Sequence, residues 1–536
     1  YQMIEKDKVD MEADFLIHKI IRSNSAFACE IESFVPYDDT YRELHKITFK
    51  NISSEPLTLK PVVSVPLFAR SADNIRDHRH VTSLLNRLTI HENGMINQPT
   101  FSFDERGHVV NQNRYGVFVH SNPESKVLRY WPILEEFIGE GNTLLDPEVV
   151  SKEIPNSYKV GVVVSGYEMT GGFEFEALTL KSGETLELYL QIVIAQTDEE
   201  MLELHSELTS NDYLRLKNQT LLNWKEKLGH LEFSFSDEQL NGWLKWVTLQ
   251  PILRRIYGCS FLPHHDYGRG GRGWRDLWQD SLALILMEPE EVRHLLFNNF
   301  LGVRIDGSNA TIIGDAPGQF LADRNHIARV WMDHGSWPFI TTKLYLDKSG
   351  DYAFLFEHQK YFSDQFSHYT KMVDNRHIDT EHIQKTESGA FYSGTILEHL
   401  IIQNLIPFFN VGNHNNIRIE GADWNDALDM ASKKGESVAF TSLYASNLIE
   451  IGHLLTALHQ KGIETIELLS ELDILLGGLD FEDVHAKQSL LKRYFDSVYP
   501  LVKGDKTSHD VAKLSRKLIE YGQMLLEHVR ANEWME

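Results

Sequence analysis

Two hydrophobic periods that exclude one another divide this chain, and the change falls near residue 197. Before it, apolar residues recur at every second position. Leu186, Leu188, Leu190, Ile192 and Ile194 alternate with Glu187, Tyr189, Gln191 and Val193, the pattern of a strand with one face buried. Ile47 and Phe49 alternate with Lys46, Thr48 and Lys50, Leu57 and Leu59 flank Thr58, and Val160–Val164 is a short apolar run. Turn residues separate these runs at 51–56, 71–74, Asn122-Pro123 and Ser182-Gly183. Short strands between turn signals, with no long helical pattern among them, predict an antiparallel β-sandwich over 1–197.

After the change the spacing is helical. Residues 198–235 are charged and read as a helical linker. Ser236 offers an N-cap with Gln239 at the N3 position of a capping box. Leu240, Trp243, Leu244 and Val247 then follow as one apolar stripe, and Pro251 is expected to kink the helix. The pattern predicts helices at 240–257, 275–287, 290–301, 326–346, 351–367, 395–409, 440–461, 485–498 and 508–531. Helices in series without a repeat of fixed period predict a bundle or a closed α/α ring over 236–536 rather than a solenoid. The fold class is therefore multidomain β plus α: sandwich, helical linker, then an (α/α)6-type toroid. Six hairpins need twelve helices, so the toroid is expected to be incomplete, as in a fragment truncated at its C-terminus.

Charge excludes some partners. The chain has 52 Lys and Arg against 77 Asp and Glu, a net charge of −25. Neutralising phosphates needs clustered cations, so neither nucleic acid nor an anionic membrane surface is expected as partner. A neutral ligand such as a sugar is compatible. Cys29 and Cys259 are the two cysteines, too few for a disulfide framework or a four-Cys zinc site. No apolar run reaches 18 residues and no signal segment is visible, so a cytoplasmic location is expected.

Three stretches can carry chemistry. The densest is Glu420-Gly421-Ala422-Asp423-Trp424-Asn425-Asp426-Ala427-Leu428-Asp429. A carboxyl group desolvated by an indole can stay protonated at neutral pH, as a general acid on a glycosidic oxygen must. The same residues also suit a helix start, with Asp423 or Asn425 as N-cap and Trp424 in the core. The second is Tyr267-Gly268-Arg269-Gly270-Gly271-Arg272-Gly273-Trp274-Arg275-Asp276-Leu277-Trp278-Gln279-Asp280. Its glycines allow close backbone approach to a ligand; its arginines and acids can meet sugar hydroxyls, or simply cap a helix. The third runs from Arg304-Ile305-Asp306-Gly307-Ser308-Asn309 through Asp323-Arg324-Asn325-His326 to Trp331-Met332-Asp333-His334-Gly335-Ser336-Trp337-Pro338, a polar and aromatic mixture suited to a carbohydrate cleft or to a structured loop. His264-His265, and His78 with His80, lack metal-ligand spacing, so no metal is expected.

Together these segments resemble the inverting oligosaccharide phosphorylases of glycoside hydrolase family 94 (the cellobiose and cellodextrin phosphorylase family). Trp274-Arg275-Asp276-Leu277-Trp278-Gln279-Asp280 is similar to the family's aromatic-Arg-Asp-x-x-Gln-Asp segment. Gly421–Asp426 is similar to its Gly-Asp-Trp-Asn-Asp segment, with Ala422 inserted. Arg304–Gly314 and the Gly-Ala-Asp-Trp-Asn-Asp variant look closest to 1,2-β-oligoglucan phosphorylases. The resemblance implies Asp426 as the catalytic general acid and Trp424 in the site of the cleaved sugar. It implies Arg269 and Asp276 as the residues that hold that sugar, with Arg275 a further candidate. No segment here matches the family's phosphate-holding His and Thr-Gly.

The implied reaction is phosphorolysis of β-linked gluco-oligosaccharides, of β-1,2 linkage by the closest resemblance, to α-glucose 1-phosphate. Inorganic phosphate is the co-substrate, there is no cofactor, and a homodimer is possible. Phosphate is already anionic and needs no general base, so one carboxyl group suffices. An inverting hydrolase on the same fold would need a second carboxylate about 6.5–9.5 Å from the acid, which would come from the missing part of the toroid or from the region near Asp333. A non-catalytic glycan-binding protein is the third reading, and any turnover excludes it.

Overall fold

The computed structural model describes residues 7–14, 16–69, 81–104, 107–206, 208–257, 273–310, 318–320, 332–364, 366–367, 372–373, 381–420, 431, 433–478 and 480–534. The chain divides into two compact units at Gly229/His230.

The first unit is built on an antiparallel sheet of nine strands. In spatial order these are β1 (Lys8–Asp14), β2 (Ile17–Ser23), β3 (Phe27–Phe34), β4 (Arg42–Asn51), β16 (Thr185–Ala195), β11 (Arg114–Asn122), β8 (Gly94–Asn97), β7 (Arg87–His91) and β13 (Val163–Ser165). A second sheet orders β12 (Val127–Ile133), β14 (Met169–Phe175) and β6 (Val62–Leu67). Two strand pairs complete the unit: β5 (Leu57–Leu59) with β15 (Leu178–Leu180), and β9 (Phe101–Asp104) with β10 (Gly107–Val110). The alternating residues Leu186, Leu188 and Leu190 of β16 enter the core between the two large sheets, where they meet a cluster that includes Leu67, Tyr130, Phe173 and Phe175.

The other face of β16 is buried as well, which corrects the half-buried reading. Tyr189, Gln191 and Val193 are all within 1% of full burial. The cause is the helical segment that follows, α1 (Asp198–Ser206) and α2 (Ser210–Leu228), which lies on that face. Tyr189 packs with Tyr213 and Leu216, and Val193 with Met201. Thr209 caps α2 with a capping box: its Oγ1 accepts from the Asp212 amide and its own amide donates to the Asp212 carboxylate. Tyr213 and Lys217 then reach across to Glu32 of β3, Lys217 Nζ at 2.7 Å. The helices expected to form a linker are thus a third layer of the first unit.

The second unit is helical: α3 (Glu238–Tyr257), α4 (Trp274–Met287), α5 (Pro289–Phe300), α6 (Ser336–Ser349), α7 (Ile396–Phe409), α8 (Val438–Gln460), α9 (Val484–Val498) and α10 (Val511–Asn532). The expected fold class holds: a sheet-rich sandwich, a helical segment and an α/α catalytic-type unit. Every residue of α7 is buried, including the polar Glu398, His399, Gln403 and Asn404. α8 and α10 approach closely because a glycine lies at each contact. A Cβ on Gly522 would stand 2.5 Å from the Ala445 carbonyl, and one on Gly452 would stand 2.5 Å from Ile519 Cγ1. Gly522→Ala is expected to destabilise the unit by about 1–2 kcal/mol, the strain of overpacking outweighing the gain in helix propensity. In urea the midpoint falls; a midpoint unchanged or raised would mean the helices can separate freely.

Four helical expectations change. The helix expected at 326–346 begins only at Ser336, with 332–335 in turns ahead of it. Over 351–364 no α-helix forms. A 3-10 turn at Tyr352–Phe356 leads to a strand at His358–Lys360, which pairs with Ser393–Thr395. Arg293 of α5 holds the two ends of the 3-10 turn, Nε to Asp351 at 2.8 Å and Nη2 to Glu357, so a tertiary ion pair overrides local helical spacing. The cap of α3 is Asp237, not Ser236: its Oδ1 accepts from the amides of Gln239 and Leu240 at 2.9 and 3.2 Å. A carboxylate one residue nearer the helix wins the orphan donors. The stripe expected to bury α3 is largely exposed at Leu240 and Trp243, and burial falls instead on Thr248, Leu249 and Ile252. Helical spacing names a stripe; the neighbouring element decides which face is covered.

Candidate active site

Arg269 lies in 258–272, and Trp424 and Asp426 lie in 421–430, outside the described residues, as does Asp323-Arg324-Asn325-His326. Trp331 lies outside them too; Arg275, Asp276, residues 304–309 and residues 332–338 are described, and Arg275 meets Asp333.

Gly273 precedes α4 in extended conformation, and Trp274, Arg275 and Asp276 form its first turn. Asp276 folds back over the helix start, so that a Cβ on Gly273 would lie 2.8 Å from Asp276 Oδ2. An acid there also complements the helix dipole. Arg275 extends the other way and pairs through Nε with Asp333 Oδ2 at 2.6 Å. Trp274, fully buried, donates its indole N–H to the His334 carbonyl at 3.0 Å. One helical turn thus ties the glycine-rich stretch to Asp333-His334 twice.

His334 is buried, and desolvation pushes its imidazole down to about 4, so the ring is neutral at pH 7. Its Nδ1 faces Asn309 Nδ2 at 3.3 Å. The amide donates, so Nδ1 accepts and the ring proton sits on Nε2. Asn309 closes the short hairpin 303–309, in which Val303 bridges Asn309 and the Arg304 amide donates to the Ser308 carbonyl at 2.8 Å. The turn needs Gly307: its φ is +82°, and a Cβ would lie 2.8 Å from Ile406. Asp306 stiffens it by accepting from the Ser308 amide and hydroxyl at 2.9 and 2.6 Å.

Arg304 anchors the hairpin. It forks onto Asp364, Nη2 to Oδ2 at 2.7 Å and Nε to Oδ1 at 3.3 Å, with both side chains buried. Its guanidinium lies 4.9 Å from the Phe362 ring centroid, and Nη1 donates to the Asn309 carbonyl. Asp364 escaped the sequence reading because it stands in the segment that reads as helical. Ser336 Oγ donates to the Asp333 carbonyl at 2.7 Å, and Tyr444 of α8 donates to the Met332 carbonyl, which fixes the backbone that presents Asp333. Asp333 Oδ1 is buried and has no hydrogen-bond partner among the described residues. The other oxygen, Oδ2, is the one that meets the Arg275 guanidinium.

Of the first motif only Glu420 is described. Ile419 donates to the Gly435 carbonyl at 2.9 Å and Arg418 bridges Glu436, so the chain leaves and rejoins at one point on either side of 421–430. Glu420, at φ +56°, accepts from Asn410 Nδ2 at 3.0 Å. A separate cavity of about 250 Å³ is lined by Phe356, His358, Thr395, Glu467 and Lys506. Of the described candidates, neither Arg275 nor Asp276 lines it.

Two domain-level family models match the sequence: "Glycosyl hydrolase 94, supersandwich domain" over residues 2–211, and "Glycosyl hydrolase 94 superfamily, catalytic domain" over residues 223–461. The chain belongs to glycosyl hydrolase family 94. In this family 94 chain the catalytic match takes in all three candidate stretches, and the boundary between the two matches falls within α2.

No curated protein sequence matches the chain. Solved structures similar to it share little sequence. A bacterial glucoamylase complexed with acarbose is 12% identical, with a TM-score of 0.48 over 91% of this chain and 58% of its own. A putative kojibiose phosphorylase from the human microbiome is 11% identical, with a TM-score of 0.22 over 96% and 55%. A family GH92 α-mannosidase from Bacteroides thetaiotaomicron is 9% identical, with a TM-score of 0.25 over 91% and 69%. The family 94 chain thus spans little more than half the length of the first two. Among its described residues no helix is long and apolar enough to cross a membrane.

Proposed function

We propose that this chain carries the donor-sugar site of a glycoside phosphorylase acting on β-linked gluco-oligosaccharides, β-1,2-linked ones foremost. Support comes chiefly from the family 94 catalytic match across 223–461, which spans both motifs of the resemblance. Asp426 protonates the glycosidic oxygen as the bond to the anomeric carbon breaks. Inorganic phosphate attacks that carbon from the opposite face, and the products are α-glucose 1-phosphate and an oligosaccharide one sugar shorter. Trp424 stacks on the cleaved sugar, Arg269 and Asp276 hold its hydroxyls, and Arg275 does so in concert with Asp333. No organic cofactor or metal takes part.

The hydrolase alternative needs a free second carboxylate to activate water. Asp333 is the candidate there, and its Oδ2 is engaged by Arg275, which suits a binding role. The test is incubation with a panel of β-linked gluco-oligosaccharides, followed by phosphorus NMR. Glucose 1-phosphate is expected to form only when phosphate is present. Free glucose released at the same rate without phosphate would establish the hydrolase instead.

A further inference from the structure

The turn 411–416 feeds the stretch that carries the Asp426 motif, and an unusual side chain holds it. The turn closes through the Gly412 amide on the Asn416 carbonyl at 2.9 Å and the Asn415 amide on the Gly412 carbonyl at 3.1 Å. Asn415 sits at φ +61°, a left-handed conformation that asparagine tolerates when its side chain is bonded. Its Nδ2 donates to the Phe481 carbonyl at 3.1 Å, and its Oδ1 accepts from Lys487 Nζ at 2.7 Å.

Lys487 is on α9 and is wholly buried. Its Nζ lies 3.7 Å from the Phe481 ring centroid and 4.6 Å from that of Phe408. No carboxylate pairs with it among the described residues; Glu482 acts on it only through space, and desolvation pushes its ammonium down to about 7. Burying a cation without a carboxylate is costly, and a methionine would fill the same volume without that cost. What lysine adds is a donor aimed at Asn415, steadied by two ring faces.

The surroundings give that bond reach. Gln488, the next residue of α9, donates to the Val411 carbonyl at 3.0 Å, and His528 of α10 donates to the His414 carbonyl at 2.7 Å. Asn416 donates to Glu533 at 2.6 Å, and Glu436 accepts from the Asn416 amide at 3.0 Å. Ile417 and Ile419 then pair with Ser437 and Gly435. The position of the turn therefore sets the point from which 421–430 departs.

We propose that Lys487 is a positioning residue: through Asn415 it fixes the 411–416 turn and so the origin of the stretch that bears Asp426. The catalytic half of this statement rests on the proposed phosphorolysis; the anchoring half does not. Three variants test it: Lys487→Met, Asn415→Gly (which suits φ +61°) and the double. Hydrogen exchange followed by mass spectrometry should show the amides of 411–419 exchanging about tenfold faster in each single variant. The double should match the singles, because the two residues act as one unit. The kcat for phosphorolysis should fall about tenfold in all three, with KM for oligosaccharide and phosphate within twofold of wild type.

Multiplying effects in the double, loosening spread evenly over α9 and α10, or unchanged kcat beside faster exchange would overturn the proposal. If Lys487→Met fails to fold, Asn415→Gly alone carries the same comparison. Where the wild-type chain shows no turnover, the exchange measurement decides the anchoring by itself.

Discussion

Asp426→Asn is expected to lower phosphorolysis of an oligosaccharide by about 10²–10⁴-fold, the scale of a lost general acid, while the urea midpoint stays within error of wild type. The loss should depend on the leaving group. An oligosaccharide leaves as an alkoxide unless its oxygen is protonated, so it needs the acid. Fluoride leaves without a proton, so β-glucosyl fluoride plus phosphate should react in the variant within about tenfold of the wild-type rate. This pair of substrates separates proton donation from binding. If cleavage of the fluoride falls as far as that of the oligosaccharide, Asp426 holds the sugar or phosphate, and the acid is another group.

Asp364→Ala should give the largest loss of stability in the second unit, about 3–5 kcal/mol, because it strands the buried Arg304 guanidinium. The pair is bidentate and buried on both sides, so water cannot replace the missing carboxylate without opening the core. Arg304→Met in the same chain removes the stranded charge and keeps the stem packed on Phe362. The double variant should recover much of the loss, which makes the two effects strongly non-additive. Urea unfolding followed by tryptophan fluorescence reads both. A single variant costing under about 1 kcal/mol, or a double equal to the sum of its singles, would show that the pair is solvated in solution.

How far the sequence could be read depended on how local each feature is. Most helices of the second unit match their predicted spans within a few residues, because a 3.6-residue spacing and its caps lie within one element. The failures lie where a distant partner intervenes. Residues 351–367 carry helical spacing, yet Arg293 binds both Asp351 and Glu357, and His358–Lys360 finds its partner strand at Ser393–Thr395. Tyr189 and Val193 alternate out of the sandwich core, as their period requires. They are still buried, because α1 and α2 return over that face. At the site, Arg275 was legible as a polar residue in a glycine-rich helix start. Its partner Asp333 was legible only as one of many polar residues in a long stretch, and Asp364 was not legible at all.

The amino-acid order by itself determined that this chain makes strands first and helices after, which residues could serve a sugar, and the family to which the chain belongs. Those properties follow from side-chain period and residue type, which each segment carries along its own length. Only the tertiary structure decided that Arg275 meets Asp333, that Arg304 meets Asp364 sixty positions away, and that a buried lysine holds the turn ahead of Asp426. Such pairings depend on where the folded backbone brings separate elements together, and no local period encodes that.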